Sequence, residues 1–241
     1  MDQNAENISC VQFPRCYMSL SNQVSEIQLH VFCDASESAY GTVAYIRYSF
    51  KGGGHKCALV MAKSKLAPIK TVMIGRLELC SGLIGVRLSK MILHELDIPI
   101  ERTFYWLDST LALQYIRNTN NRYKIFVANR VTEILEHSQK EQWNHVPGVQ
   151  NPADMLTRGV KDPSDLMRTN KFGTSWFGAT EFLEKDEVYW PHRDIEPLDS
   201  NDVEIKQKAI LVALGFMITS KQYKFDVLRF SSWNKLRRVA A

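Results

Sequence analysis

Two apolar runs in this chain, LHVFCD (residues 29–34) and RTFYWLD (residues 102–108), each end on an aspartate. Apolar residues, with β-branched and aromatic ones among them, dominate both, so each reads as a short buried strand. A carboxylate at the end of a core strand is costly unless it is solvated, paired or bound to a cation. Alone, Asp34 reads most simply as a turn cap. Two such strands side by side in one sheet would bring two acids to one edge, so the rest of the chain has to be read for what joins them.

After the first run come a polar connection, DASESAY, and a second apolar strand, GTVAYIRYSF (41–50). The turn signal KGGG precedes a third strand, HKCALVMAKSKLAP (55–68), and short polar links of this kind build an antiparallel meander. The period then changes to helical over 74–96, where Leu77, Cys80, Ile84, Leu88 and Met91 recur at spacings of three and four. Beside them Glu78, Gly82, Gly85 and Ser89 form a stripe with little bulk. A mid-helix glycine costs about 1 kcal/mol relative to alanine. Two on one stripe predict close approach of another backbone, as when a helix presses on a sheet.

The strand ending in Asp108 is followed by a short helix capped by Ser109, then a helix over 124–138. A fifth strand, QWNHVPG (142–148), leads to NPADMLTRG (151–159), read as a helix with Asn151 as N-cap, Pro152 first and Asp154 in its first turn. The order is βββαβααβα, an α/β fold with a five-stranded mixed sheet and helices on both faces. The expected domains are a lead-in (1–26), the α/β domain (27–160) and an irregular C-terminal extension (161–241), in which 191–206 reads as an acidic linker.

If the strands ending in Asp34 and Asp108 are adjacent and parallel, those acids lie side by side. Gly82 and Gly85 let the Glu78 helix lean over the same edge, and Asp154 opens the helix after strand five. Four converging carboxylates raise one another's pKa values unless cations lie between them. An oxygen-only set suits Mg²⁺, and two such ions about 4 Å apart suit phosphodiester hydrolysis. The net charge of +4 permits a nucleic-acid partner without requiring one, but Arg117, Arg122, Lys124 and Arg130 fall in one stretch that holds no acid. Five scattered cysteines without a CxxC pair argue against a zinc site and for a reducing, intracellular setting, cytoplasmic or nuclear. No signal peptide or membrane span is expected.

The blocks FCDASESAYG, GRLELCSGLIG, YWLDSTLALQYI and NHVPGVQNPADMLTRG resemble the ribonuclease H segment of Bel/Pao-type LTR retrotransposon polyproteins. The flanking pieces FPRCY, SWFGATEFLEKDEVYWP and FSSWNKLRRVAA resemble the neighbouring segments of such polyproteins. The resemblance implies an RNase H-like fold, hydrolysis of the RNA strand of RNA–DNA hybrids, and two Mg²⁺ ions, with Mn²⁺ as a substitute. By the same resemblance Asp34 is the first-strand aspartate shared between the ions, and Glu78, Asp108 and Asp154 are the remaining ligands. Arg117, Arg122, Lys124 and Arg130 are candidates for phosphate contacts. Reverse transcriptase and integrase regions of the same polyprotein are further expected partners.

Cellular type 1 ribonucleases H carry a histidine in the loop before the last aspartate, where this chain has PGVQ. His145 lies earlier and is expected to be a strand residue. Trp106, Trp143 and Tyr105 are expected in the core and Ser36 and Ser109 as caps, while Trp176, Phe177, Tyr189 and Trp190 are read as packing a tail onto the α/β domain or, by preference, onto a missing neighbour. The alternative function is a catalytically silent, domesticated or decayed fragment that binds nucleic acid or protein. Retention of all four acids favours the nuclease.

Overall fold

The computed structural model describes residues 23–118, 122–160, 162, 165–166, 168–170 and 173–206. They belong to a compact unit that runs to Lys206; a second unit, 207–241, lies outside the described residues, as do FPRCY, Cys10 and Cys16.

Five strands, β1 (Val24–Ala35), β2 (Ala39–Phe50), β3 (His55–Leu66), β4 (Arg102–Leu107) and β5 (Trp143–His145), form one sheet in the order β3-β2-β1-β4-β5. The first three pair as the antiparallel meander read from their turns, and β4 and β5 add parallel to β1. Among the described residues the α-helices are α1 (Ile74–Glu95), α2 (Thr110–Arg117), α3 (Ile125–His137) and α4 (Asp154–Arg158), so the order βββαβααβα holds from Val24 to Arg158. This is an α/β fold built on a five-stranded mixed sheet. β1 starts at Val24, earlier than its apolar run, because β2 is long enough to pair it back to Phe50.

Helices α1, α2 and α3 cover the face that carries Leu29, Val31, Cys33, Ala44 and Ile46. The glycine stripe of α1 explains how closely it sits. A Cβ on Gly85 would lie 2.7 Å from Cys33 Sγ, and one on Gly82 would lie 3.2 Å from the Trp143 ring. Trp143 stacks on Tyr105, and both are buried with Trp106, as core residues should be.

The opposite face departs from the sequence reading. Among the described residues the five-residue α4 is the one α-helix there; most of the cover comes from residues 176–190, with short 3-10 turns. Ala179, Phe182 and Leu183, with Trp176 and Trp190, pack on Phe32, Val43, Tyr45 and Trp106. The aromatic tail therefore closes this protein's own sheet rather than awaiting a neighbour, although Tyr189 stays exposed. Its anchor is Arg47, a buried arginine of β2. It donates to the carbonyls of Leu183 (2.7 Å) and Lys185 (2.9 Å) and to Gln28 Oε1 (3.0 Å), and lies beneath the Trp190 ring.

Residues 191–206 are likewise more than a linker. Glu204 is buried and takes the Arg76 guanidinium at 2.6 Å, while Tyr115 donates to Asp202. Ile195, Leu198 and Ile205 pack on the helical core. An acidic sequence masked this role because its charges are answered by residues far away in the chain. Among the described residues no helix is long and apolar enough to cross a membrane, and Cys33, Cys57 and Cys80 are free thiols.

Candidate active site

Parallel pairing of β1 and β4 sets Cys33 beside Leu107, so Asp34 and Asp108 are the next positions on neighbouring strands. The second turn of α1 leans over that edge and supplies Glu78. Carboxylate oxygens of Asp34, Glu78 and Asp108 all lie within 4.8 Å of one another. Asp34 is 3 % exposed and Glu78 5 %; Asp108 is half-buried.

Such crowding makes the charged forms unfavourable. Burial, then the charges of Asp108 and Asp34, pushes Glu78 up to about 9. Burial and the Asp34 charge push Asp108 up to about 7. Asp34 is raised by burial, opposed by a hydrogen bond from Thr157. Glu78 Oε2 and Asp108 Oδ1 are buried with no hydrogen-bond partner. Buried acceptors are rarely left unmatched. Three acids from three separate elements, with two orphaned oxygens, fit a divalent cation. Gly148 helps keep the space, since a Cβ there would lie 3.1 Å from Asp108 Oδ2.

Asp154 stands at the rim, outside this group of three. It opens α4, is half-exposed, and pairs with Arg158 at 2.5 Å. Its charge still raises Asp34 and Asp108. The helix begins later than the sequence suggested, because Asn151 caps a turn instead. Its side chain accepts from the Ala153 N–H (3.1 Å) and donates to the Cys33 carbonyl (2.9 Å), tying the approach to α4 onto the end of β1. Ser36 caps the β1–β2 turn, and Ser109 caps α2 by accepting from the Ala112 N–H at 3.2 Å.

His145 is the last residue of β5, in register with Leu107. It bonds to the Asp108 backbone, and burial lowers its pKa. The four basic candidates do not form one free surface. The Arg117 guanidinium donates to the Trp143 carbonyl at 2.7 Å. Arg130 is committed to Cys80 Sγ, the Phe126 carbonyl and the Phe126 ring. Arg122 and Lys124 have exposed side chains beside residues 204–206. Thr157, Gly148 and Arg47 went unnoticed as site or anchor residues in the sequence, and Asn151 was read only as a helix cap. The signal for Arg47 was an arginine inside an apolar strand, and for Gly148 a glycine directly after proline.

Residues 1–109 match the family model described as Pao retrotransposon-like RNaseH-like domain, a span that takes in Asp34, Glu78 and Asp108. This part of the chain is thus similar to the ribonuclease H segment of Pao-type retrotransposons, over somewhat less than half of the chain. No curated protein matches the sequence. Among solved structures, the chain is similar to the N-terminal RNase H domain of rv2228c from Mycobacterium tuberculosis, solved as a fusion with maltose binding protein (9 % identity, 55 % of this chain, 92 % of that one, TM-score 0.37). It is also similar to RNase H1 from the halophilic archaeon Halobacterium salinarum NRC-1 (11 %, 52 % and 87 %, TM-score 0.32). A third is LC11-RNase H1, solved in complex with an RNA/DNA hybrid (9 %, 52 % and 88 %, TM-score 0.34).

Proposed function

We propose that this protein is a retroelement-derived ribonuclease H that hydrolyses the RNA strand of RNA–DNA hybrids with divalent metal ions. The observation that carries the reading is the meeting of Asp34, Glu78 and Asp108, from two parallel strand ends and a helix, with buried oxygens left unpartnered. Two Mg²⁺ ions, replaceable by Mn²⁺, would be held by Asp34, Glu78 and Asp108, with Asp154 as a further ligand. Ions in such a site supply an activated water and charge stabilisation for the leaving oxygen.

The chain's own residues provide the rest. Raised acids favour cation binding, since an ion relieves repulsion that protonation otherwise has to relieve. Asp154, tied to Arg158 when no ion is held, is exposed enough to reorient as a ligand. Arg122 and Lys124, exposed and without an ion pair among the described residues, offer positive charge for phosphates, with Arg117 and Arg130 on the helices to either side. Recognition then rests on shape, phosphates and 2′-hydroxyls. The hybrid is the substrate, and the reverse transcriptase and integrase regions of one polyprotein are the proposed neighbours. The test is cleavage of a labelled hybrid by the wild type and by Asp34→Asn and Asp108→Asn. Each substitution is expected to abolish Mg²⁺-dependent cutting without loss of fold. Near-normal cutting by either variant rejects the site.

A further inference from the structure

We infer that Thr157 is a positioning residue for the metal site: its hydroxyl fixes the orientation of the Asp34 carboxylate. This inference rests on the metal-nuclease reading above and adds a residue to it. Thr157 lies in the last turn of α4, is 3 % exposed, and donates from Oγ1 to Asp34 Oδ2. Its one proton has a second acceptor nearby, the Asp154 carbonyl, but at 3.3 Å that contact lies beyond the usual hydroxyl hydrogen-bond distance.

The physical need for such a contact is clear from the rotamer. Rotation of an aspartate carboxylate about its last torsion is broad and weakly restrained. A ligand that three acids share within 4.8 Å works best when each oxygen is already aimed. Asp34 sits at the end of a rigid strand, yet its carboxylate would swing freely if nothing held it. Thr157 is β-branched, so its own side chain has few rotamers in a helix, and burial holds it in place. The hydroxyl is therefore a stiff arm on a soft joint.

Thr157 is itself held from the strand side. Ser36, two residues beyond Asp34, donates to the Thr157 carbonyl at 2.9 Å. Asn151 donates to the Cys33 carbonyl, one residue before Asp34, at 2.9 Å. The end of β1 and the segment 151–157 thus exchange three hydrogen bonds across Cys33, Asp34 and Ser36, two of them involving α4 itself. Only the one from Thr157 reaches the carboxylate. This is also why a helix of five residues keeps its place beside the sheet: its end is latched to the strand that carries the first acid.

The test uses the full 241-residue chain with Thr157→Val, Thr157→Ala, Thr157→Ser and Asp34→Asn. The readouts are Mn²⁺ binding by isothermal titration calorimetry, hybrid cleavage, and folding by circular dichroism in EDTA. Loss of an outer contact to a metal ligand typically weakens binding about 10- to 100-fold. Thr157→Val and Thr157→Ala are expected to fold, to bind Mn²⁺ about tenfold more weakly or worse, and to cleave correspondingly slowly. Thr157→Ser, which keeps the hydroxyl, is expected to restore both to within about threefold. Equal loss in Thr157→Ser and Thr157→Val overturns the role of the hydroxyl. So does wild-type metal binding in Thr157→Val while Asp34→Asn has lost it. Failure of both hydroxyl-free variants to fold makes the contact a folding device, which also overturns the proposal. If Asp34→Asn itself binds and cleaves normally, the metal-site reading fails first, and the two failures stay separate.

Discussion

Replacing Glu78 with glutamine should stabilise the metal-free protein at alkaline pH and have little effect in acid. Glu78 is pushed up to about 9 by burial and by its acidic neighbours, against an ordinary value of 4.5. Between those values the folded state holds a proton that the unfolded chain releases, so wild-type stability falls as pH rises through this window. At pH 8 the fold retains that proton against bulk water at about 1.4 kcal/mol per pH unit above 4.5. The ceiling on the destabilisation is then about 5 kcal/mol, and near pH 5 it is below about 1 kcal/mol. Glutamine keeps the shape of the protonated acid and carries no such proton. In EDTA, Glu78→Gln should therefore gain about 2–5 kcal/mol over the wild type at pH 8, a rise of about 4–15 °C in melting temperature. The gain should shrink steadily toward pH 5. Adding Mg²⁺ should narrow the gap from the other side, because an ion that binds only the native state stabilises the wild type. Thermal melts of both proteins at pH 5, 6.5 and 8, with and without Mg²⁺, measure this directly. A variant no more stable than the wild type at pH 8, or a gain that does not vary with pH, refutes the reasoning that these acids are strained together.

Gly85→Ala should destabilise by up to about 2 kcal/mol in urea unfolding: overpacking costs about 1–3 kcal/mol where the new Cβ meets Cys33 Sγ at 2.7 Å, and helix propensity returns only about 1 kcal/mol. Trp190→Ala should cost about 2–3 kcal/mol, because the ring contacts His30, Phe104, Trp106 and Arg47; a thermal melt and dye binding would register the newly exposed face. Arg122→Glu with Lys124→Glu should weaken hybrid binding and reduce the slope of log affinity against log salt by about 1–2, and an unchanged slope would place the binding face elsewhere.

Much of the site could be read in the chain because strand ends and helix stripes are local patterns. Asp34 and Asp108 announced themselves as acids closing apolar runs. Gly82 and Gly85 announced a helix pressed on a sheet, and contact with Trp143 and Cys33 is the reason for both. The remainder depended on partners distant in sequence. Thr157 lies 123 residues from the acid it touches, and Arg47 lies 136 from the carbonyl of Leu183. Neither contact leaves a periodicity. Residues 191–206 looked like linker because their acidic side chains counted as solvated, whereas Glu204 is buried against Arg76. The basic stretch was misleading in the opposite direction: Arg117 and Arg130 are largely occupied inside the protein, leaving Arg122 and Lys124 as its exposed cations. His145 was legible as a strand residue, but its bond to the Asp108 backbone was not.

The most direct measurement is cleavage of an RNA–DNA hybrid with each strand labelled separately, in Mg²⁺ and then in EDTA. The account predicts cutting of the RNA strand alone, stopped by the chelator and restored by excess Mg²⁺. An intact RNA strand in Mg²⁺, with the hybrid demonstrably bound, would contradict it.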